Sequence, residues 1–81
     1  MALDKYSIGV LRKMYFYNYI GGRHTSIYNL QKGFATHERG NVKKIVKKLI
    51  KDGYIVPKST GSGLHCSLNM NLINEIEKLI E

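Results

Sequence analysis

Residues 37–55 read HERGNVKKIVKKLIKDGYI, and this stretch carries the clearest fold signal in the chain. Its aliphatic side chains recur at three- and four-residue spacing, the period of one helix face: Val42, Ile45, Val46, Leu49 and Ile50. Six Lys or Arg residues stand among them. Gly53 follows, and glycine is the usual residue just past a helix C-terminus. The stretch therefore predicts a helix with an aliphatic face toward the core and a basic face toward solvent.

The start of this helix has two interpretations. Thr36 could cap a helix that begins at His37, with Glu38 in the first turn, where the helix dipole favours an anion. Alternatively, Asn41 is the cap and the preceding residues form a turn. We favour the earlier start.

The positive charge of the chain is unevenly distributed. The 81 residues include 13 Lys or Arg and 6 Asp or Glu, which gives a net charge of +7. Residues 1–58 hold twelve of the basic residues and three of the acidic ones. Clustered basic side chains favour a polyanionic partner, although a lysine-rich helix face is often only a solvated surface.

The length fits one small domain spanning residues 1–81, and a hydrophobic fraction of 43% is enough for a globular core. The apolar runs are far shorter than the roughly 20 residues of a membrane span, and the N-terminus does not resemble a secretory signal. The single cysteine, Cys66, excludes an internal disulfide and favours a reducing compartment. We therefore expect a cytoplasmic protein that does not associate with a membrane.

No pattern in the sequence is typical of catalysis. The histidines His24, His37 and His65 are scattered, and no CxxC, HExxH or phosphate-binding loop is present. Neighbouring strand residues face opposite ways, so His65 and Cys66 cannot hold one metal ion together. We expect no enzymatic activity, no metal, no cofactor and no small-molecule ligand.

The first eighteen residues after Ala2 predict a helix that Asp4 or Ser7 could cap and that Gly21-Gly22 ends. Residues at helical spacing would form its buried face: Ile8, Leu11, Tyr15 and Asn18, with Val10, Met14 and Tyr17 beside them. Its aromatic residues are too numerous for one buried face, so some of them must lie on the surface or in a subunit contact.

A short extended piece at residues 23–25 and a short helix follow. Thr25 or Ser26 could cap this helix, Ile27 and Leu30 would face the core, and Lys32-Gly33 would end it. Phe34 is expected to fill the core beneath it.

The segment after Gly53 predicts a β-hairpin. In YIVPK, residues 54–58, the proline restricts the strand to a sheet edge, and KSTGSG is a turn. In LHCSL, alternation places Leu64, Cys66 and Leu68 inward and His65 and Ser67 outward. A last helix, capped by Asn69 or Asn71, carries an apolar stripe of Leu72 or Ile73, Ile76, and Leu79 or Ile80.

This order of elements, with VKKIVKKLIKDGYI followed by VPKSTGSGLHCSLN, resembles the winged helix-turn-helix family, and in particular the compact stand-alone winged-helix proteins of archaea and their viruses. The resemblance implies an α+β fold with a three-helix core, a β-hairpin wing and a C-terminal helix. It also implies that Ile27–Lys32 is the supporting helix, His37–Lys51 the recognition helix and Lys58–Gly63 the wing tip. Such domains place the recognition helix in the DNA major groove. Two features depart from the family pattern: Gly40 lies inside the recognition helix, and the wing tip has no Arg.

Helical geometry independently sorts the charges of residues 37–51 onto one polar face. Lysines there would contact phosphates, whereas Asn41 and His37 have the chemistry to contact base edges. Elsewhere, Arg23 and the hydroxyls of the supporting helix and the wing could reach the DNA backbone. The candidate nucleic-acid-binding residues are Arg23, Ser26, His37, Arg39, Gly40, Asn41, Lys43, Lys44, Lys47, Lys48, Lys51, Lys58, Thr60 and Ser62.

The sequence thus favours a duplex-DNA-binding protein, a small transcriptional regulator that forms a homodimer through its first and last helices. One alternative is a winged-helix assembly module whose aromatic first helix contacts a protein. Another is an RNA or single-strand binder, in which surface tyrosines stack on bases. The candidates for such stacking are Tyr15, Tyr17, Tyr19 and Tyr28.

Overall fold

The computed structural model describes residues 3–61 and 63–81, which form an α+β fold of four α-helices and a three-stranded antiparallel sheet. In chain order the elements are α1 (Lys5–Phe16), β1 (Thr25–Ser26), α2 (Ile27–Gln31), α3 (Arg39–Lys51), β2 (Ile55–Thr60), β3 (Gly63–Leu68) and α4 (Ile73–Ile80). Two short 3₁₀ turns, Thr36–Glu38 and Met70–Leu72, lead into α3 and α4.

Helix α1 begins as predicted but ends earlier. The Asp4 carboxylate accepts a hydrogen bond from the Ser7 backbone N–H at 2.7 Å and so caps the helix. The helix ends at Phe16, not at Gly21-Gly22, because Asn18 adopts a left-handed conformation with φ of 61°. The backbone N–H groups of Asn18 and Tyr19 then satisfy the carbonyls of Tyr15 and Met14, which closes the helix in a Schellman motif.

The buried face of α1 also differs from the prediction. It consists of Ser7, Val10, Leu11 and Met14. Ile8 and Tyr15 are only half-buried, and Asn18 and Tyr17 are exposed. Both sets of residues have helical spacing, and the packing of α3 and α4 against α1 decides which one enters the core.

Helix α3 differs from both interpretations of its start. Thr36 begins a 3₁₀ turn and caps nothing, and Asn41 lies inside the helix, so neither of them is the cap. Glu38 is the residue that precedes the helix, and its side chain makes no capping hydrogen bond. The predicted C-terminus is confirmed: Gly53 has φ of 91°, and its N–H donates to the Ile50 carbonyl at 3.1 Å.

The predicted hairpin is confirmed as β2 and β3, with β3 at the centre of the sheet and β1 on its other side. Pro57 therefore lies in an edge strand, as expected. Cys66 and Leu68 are fully buried, but Leu64 is 41% exposed because it lies near the hairpin tip, beyond the core. Ser67 was expected to face outward but is buried. It lies near the end of β3, and the segment from Tyr19 to Gly21 is hydrogen-bonded to that end.

The apolar stripe of α4 is used within the chain. Ile76 is fully buried, and the flanking aliphatic residues of α4 pack against the core. The Arg12 side chain of α1 donates two hydrogen bonds to the Ile80 carbonyl, at 3.1 and 3.3 Å, and the Tyr15 hydroxyl donates to the Glu77 carboxylate. The last helix therefore contributes Ile76 to the core of one chain, while Leu72, Ile73, Leu79 and Ile80 beside it stay half-buried.

Candidate nucleic-acid interface

A groove of about 470 Å³ runs between α2, α3 and the hairpin. Basic, hydroxyl, amide and apolar side chains line it: Ser26, Ile27, Tyr28, Gln31, Lys43, Lys47 and Leu64. The lining residues include two lysines and no carboxylate. The groove thus joins part of the basic face of α3 to the start of α2 and to the hairpin, and its charge is positive.

The positions of the groove residues follow from local structure. Lys43 and Lys47 are one turn apart on α3, on the side that faces α2, and both are exposed. Ser26 ends β1 and caps α2, where its hydroxyl oxygen accepts a hydrogen bond from the Asn29 N–H at 2.9 Å. The hydroxyl hydrogen of Ser26 remains available to donate. Tyr28, in the first turn of α2, is 68% exposed.

The other lysines of α3 divide into two groups. Lys44 and Lys51 are exposed on the outermost part of the helix, together with Gly40. Lys48 lies toward the N-terminus of α1. There a hydrogen bond from the Ser7 backbone N–H, assisted by the charge of Lys48, lowers the pKa of Asp4. Lys48 is exposed but does not line the groove, whereas Lys43 and Lys47 line it without a carboxylate beside them.

The two residues predicted to contact bases lie beside α1. Asn41 and His37 line a second cleft, of about 180 Å³, together with the apolar side chains of Tyr6, Val10 and Ile45 among others. Asn41 is exposed, and the His37 side chain is 83% exposed with Glu38 at 3.9 Å. Both can reach a ligand on the outer side of α3, but neither lies in the groove with Lys43 and Lys47.

Arg39 is less accessible than the sequence suggested. It is half-buried, and its Nε atom is buried without a hydrogen-bond partner. The Arg39 carbonyl accepts a hydrogen bond from the Gln31 side chain at 3.1 Å, which ties α2 to the first turn of α3. The backbone carbonyl of Arg39 thus helps to join these two helices.

The hairpin presents its candidate residues in different directions. Lys58 pairs with His65 across the β2–β3 ladder, so both side chains lie on the face of the sheet opposite Cys66. Ser59 pairs with Leu64, which lines the groove, so Ser59 and not Lys58 lies on the groove-facing side of the hairpin. The Thr60 hydroxyl donates to the Gly63 carbonyl at 3.0 Å and closes the turn. Ser62 lies outside the described residues.

The remaining arginines have separate environments. Arg23 is exposed and follows the turn at Gly21-Gly22, where its N–H donates to the Ile20 carbonyl. Arg12 is also exposed, and its guanidinium donates to the Ile80 carbonyl at the C-terminus of α4.

Four groove residues were not among the predicted contacts. Ile27 and Leu64 were expected to face the core, Gln31 had no predicted role, and Tyr28 was predicted only as a stacking residue for single strands. The sequence contained a signal for the residues of α2: if Ile27 and Leu30 face the core, then positions 28 and 31 lie on the other side of this helix.

Few of the described side chains have the chemistry of a catalytic group or a metal ligand. Cys66 is fully buried, and burial raises the pKa of its thiol to about 11, so it stays protonated at neutral pH and is a poor nucleophile. The expectation of scattered histidines is wrong for His24 and His65, whose Nδ1 atoms lie 2.8 Å apart. In the part of the chain that the structure describes, no three His, Cys, Asp or Glu side chains are grouped so as to hold a metal ion.

No helix formed by residues 3–61 and 63–81 is both long and apolar enough to cross a membrane. No protein-family model, no curated protein and no solved structure matches the chain.

Proposed function

We propose that the chain binds double-stranded DNA and acts as a small transcriptional regulator. The observation that carries this proposal is the groove between α2, α3 and the hairpin, in which Lys43 and Lys47 are exposed and no carboxylate is present. Lysine ammonium groups in such a groove bind phosphates as point charges, and the release of condensed counterions drives the association.

The shape of the surface supports a duplex as the ligand. A helix with its side chains is about 10–12 Å wide, and the major groove of B-DNA is about 12 Å wide, so the outer face of α3 fits it. The order of three helices, a hairpin and a last helix is compatible with the winged helix-turn-helix arrangement, in which the third helix enters this groove. Lys44, Lys51 and Gly40 would then face the bases, with Lys43 and Lys47 on the flanking phosphate backbone.

Sequence preference would depend on few side chains. Asn41 can form two hydrogen bonds with adenine, and His37 can donate to or accept from a base edge. Both lie near the N-terminal end of α3, the part of a recognition helix that reaches base edges. Because most of the polar face is lysine, we expect affinity for duplex DNA in general to exceed discrimination between sequences.

Single-strand or RNA binding is the second candidate, and one observation favours it. Tyr28 is 68% exposed beside the groove lysines, and Lys32 Nζ lies 4.9 Å from its ring centroid. An exposed aromatic ring next to cationic side chains is the arrangement on which unpaired bases stack.

Fluorescence anisotropy with a duplex, a single-stranded DNA and an RNA of equal length, at one salt concentration, separates the two candidates. The proposal predicts tightest binding to the duplex and little effect of Tyr28→Ala on it. Met70→Ala is the control, since Met70 is a large apolar side chain, is 62% exposed and does not line the groove. Preference for a single strand, lost in Tyr28→Ala but not in Met70→Ala, would establish the second candidate instead.

Pairing of two chains remains part of the proposal, because a dimer would read a two-fold site. The contact would use the aromatic end of α1, where Phe16 is 80% and Tyr17 51% exposed, together with the half-buried aliphatic residues of α4. Sedimentation at micromolar concentration tests this part separately. Detection of the monomer alone would remove the dimer and leave DNA binding unaffected. If a partner protein occupied this aromatic end instead, the chain would be an assembly module with weak, sequence-independent DNA binding.

A further inference from the structure

Two histidines meet on the face of the sheet that carries Lys58. His24 immediately precedes β1 and His65 lies in β3, and their Nδ1 atoms are 2.8 Å apart. The ring centroids are 4.8 Å apart and the ring planes lie at 67° to each other. Both residues are half-buried, so the pair is partly shielded from water and still open to a small ion. The two residues are 41 positions apart in the sequence, so the tertiary fold, and not local sequence, brings them together.

The strand register defines what surrounds the pair. Lys58 on β2 is the cross-strand partner of His65, so its side chain lies on the same face of the sheet. Cys66 lies on the opposite face, in the core, and cannot join the pair. Among the described residues, no third His, Cys, Asp or Glu completes a metal-binding group here. Any ion at the pair would therefore have two protein ligands and would keep water in its other positions.

The nitrogen–nitrogen distance fits one class of coordination geometry. Metal–imidazole bonds are about 2.0 Å long, so two imidazoles at right angles on one ion have nitrogens about 2.8 Å apart, whereas a tetrahedral ion needs about 3.3 Å. The observed 2.8 Å is nearer to the separation of neighbouring positions on a square-planar or tetragonal ion than to that of a tetrahedral one. Cu²⁺ and Ni²⁺ prefer this geometry and bind imidazole well.

We propose that His24 and His65 form a two-histidine site for a divalent transition-metal ion of tetragonal preference, Cu²⁺ or Ni²⁺. Each ring coordinates through Nδ1 and carries its proton on Nε2, and water fills the remaining positions. The ion joins the start of β1 to the middle of β3 and so links the N-terminus of α2 to the hairpin. Lys58, across the ladder from His65, is exposed, so its flexible chain can keep the ammonium group in water, away from the ion.

A single N–H···N hydrogen bond between two neutral rings accounts for the same distance without a metal. The two explanations differ in what added metal does to stability, because an ion that binds only the folded chain shifts the unfolding equilibrium by mass action. The site is also independent of DNA binding, so the test needs no nucleic acid.

The test is thermal unfolding of the tag-free chain with Ni²⁺ alone, followed by isothermal titration to count the ions bound. At a Ni²⁺ concentration of about one hundred times the Kd, binding stabilises the folded chain by about 2.7 kcal/mol, so we expect Tm to rise by about 11–22 °C. We expect one ion per chain. The rise should be lost in His24→Ala and in His65→Gln, and retained in His37→Ala. His37 is the matched control because its side chain is 83% exposed and lies in another part of the fold.

His65→Gln is chosen because Gln occupies the strand position with a polar side chain and is less disruptive than Ala at a half-buried site. Circular dichroism of each variant without metal shows whether it folds. Should one variant fail to fold, the other carries the test, since either substitution removes one of the two ligands. The proposal is overturned by a wild-type chain whose Tm does not respond to millimolar Ni²⁺, or by a Tm rise that persists in a folded His24→Ala or His65→Gln chain.

Discussion

Replacing Ile76 by Ala tests whether α4 belongs to the core of a single chain. The Ile76 side chain is fully buried, on a helix that Arg12 and Tyr15 of α1 hold in place. Removing three buried carbon atoms costs about 2.4 kcal/mol in transfer free energy, and the cavity left behind adds to this. We therefore expect the free energy of unfolding to fall by about 3–4 kcal/mol. With a urea m-value of about 1.5 kcal/mol per molar, the unfolding midpoint should fall by about 2 M.

Urea unfolding followed by circular dichroism at two protein concentrations provides the measurement. A chain of this size is stable by only about 4–12 kcal/mol, so Ile76→Val, with an expected loss of about 1 kcal/mol, serves if the Ala variant does not fold. Glu75→Ala is the control, since Glu75 is exposed in the same helix and the change keeps high helix propensity. If Ile76→Ala changed the midpoint by less than about 0.3 M, or if its effect depended on protein concentration, α4 would belong to a contact between chains instead.

Three further predictions concern single positions. Asp4 has its pKa lowered in the folded chain by the Ser7 backbone hydrogen bond, so its contribution to stability is present above the unfolded pKa and is lost as pH falls through the folded value. Asp4→Asn keeps the cap and should flatten the stability–pH curve below about pH 4, and an unchanged curve would show that other carboxyls dominate. Gly53→Ala should destabilise the chain by about 1–2 kcal/mol in urea unfolding, because φ at this position is 91°. Gly40→Ala should stabilise it by about 0.5–1 kcal/mol, because Gly40 lies inside α3 and no atom is near the new methyl group. Equal effects of the two substitutions would contradict this difference. Cys66 should resist iodoacetamide in the native chain at pH 8 and react in urea, and rapid native labelling detected by mass spectrometry would show that β3 opens readily.

Periodic patterns predicted the long elements well. The spacing of Val42, Val46 and Leu49 defines α3 and its buried face, and Gly53 marks its end, because both signals are local. The end of α1 was harder to predict, since Asn18 and Gly21 can both adopt positive φ. Which of them ends the helix depends on the path of residues 19–21 to the end of β3, and that is a tertiary contact.

The alternation of apolar and polar residues in β3 is also a local pattern that predicts only part of the structure. It tells which residues share a face of the sheet, but it does not tell how far the core extends along the strand. Leu64 shares its face with Cys66 and still lies beyond the core, in the groove.

The candidate site was predictable in composition but not in layout. The helical period places all the lysines of α3 on one polar face, yet it cannot show that α2 and the hairpin flank Lys43 and Lys47 and leave Lys48 outside the groove. The contact between His24 and His65 has no local signal at all, since it depends on the pairing of β1 with β3.

The salt dependence of duplex binding by two double variants tests whether this groove binds DNA. Lys43→Ala with Lys47→Ala removes the two groove lysines, and Lys5→Ala with Lys78→Ala removes the same charge from α1 and α4, outside the groove. Each lost phosphate contact lowers the log–log salt slope by about 0.9, so the groove variant should bind more weakly with a slope flatter by about 2. The control should keep the wild-type slope. Equal slopes for the groove variant and the wild type, or the same loss in both double variants, would contradict DNA binding through this groove.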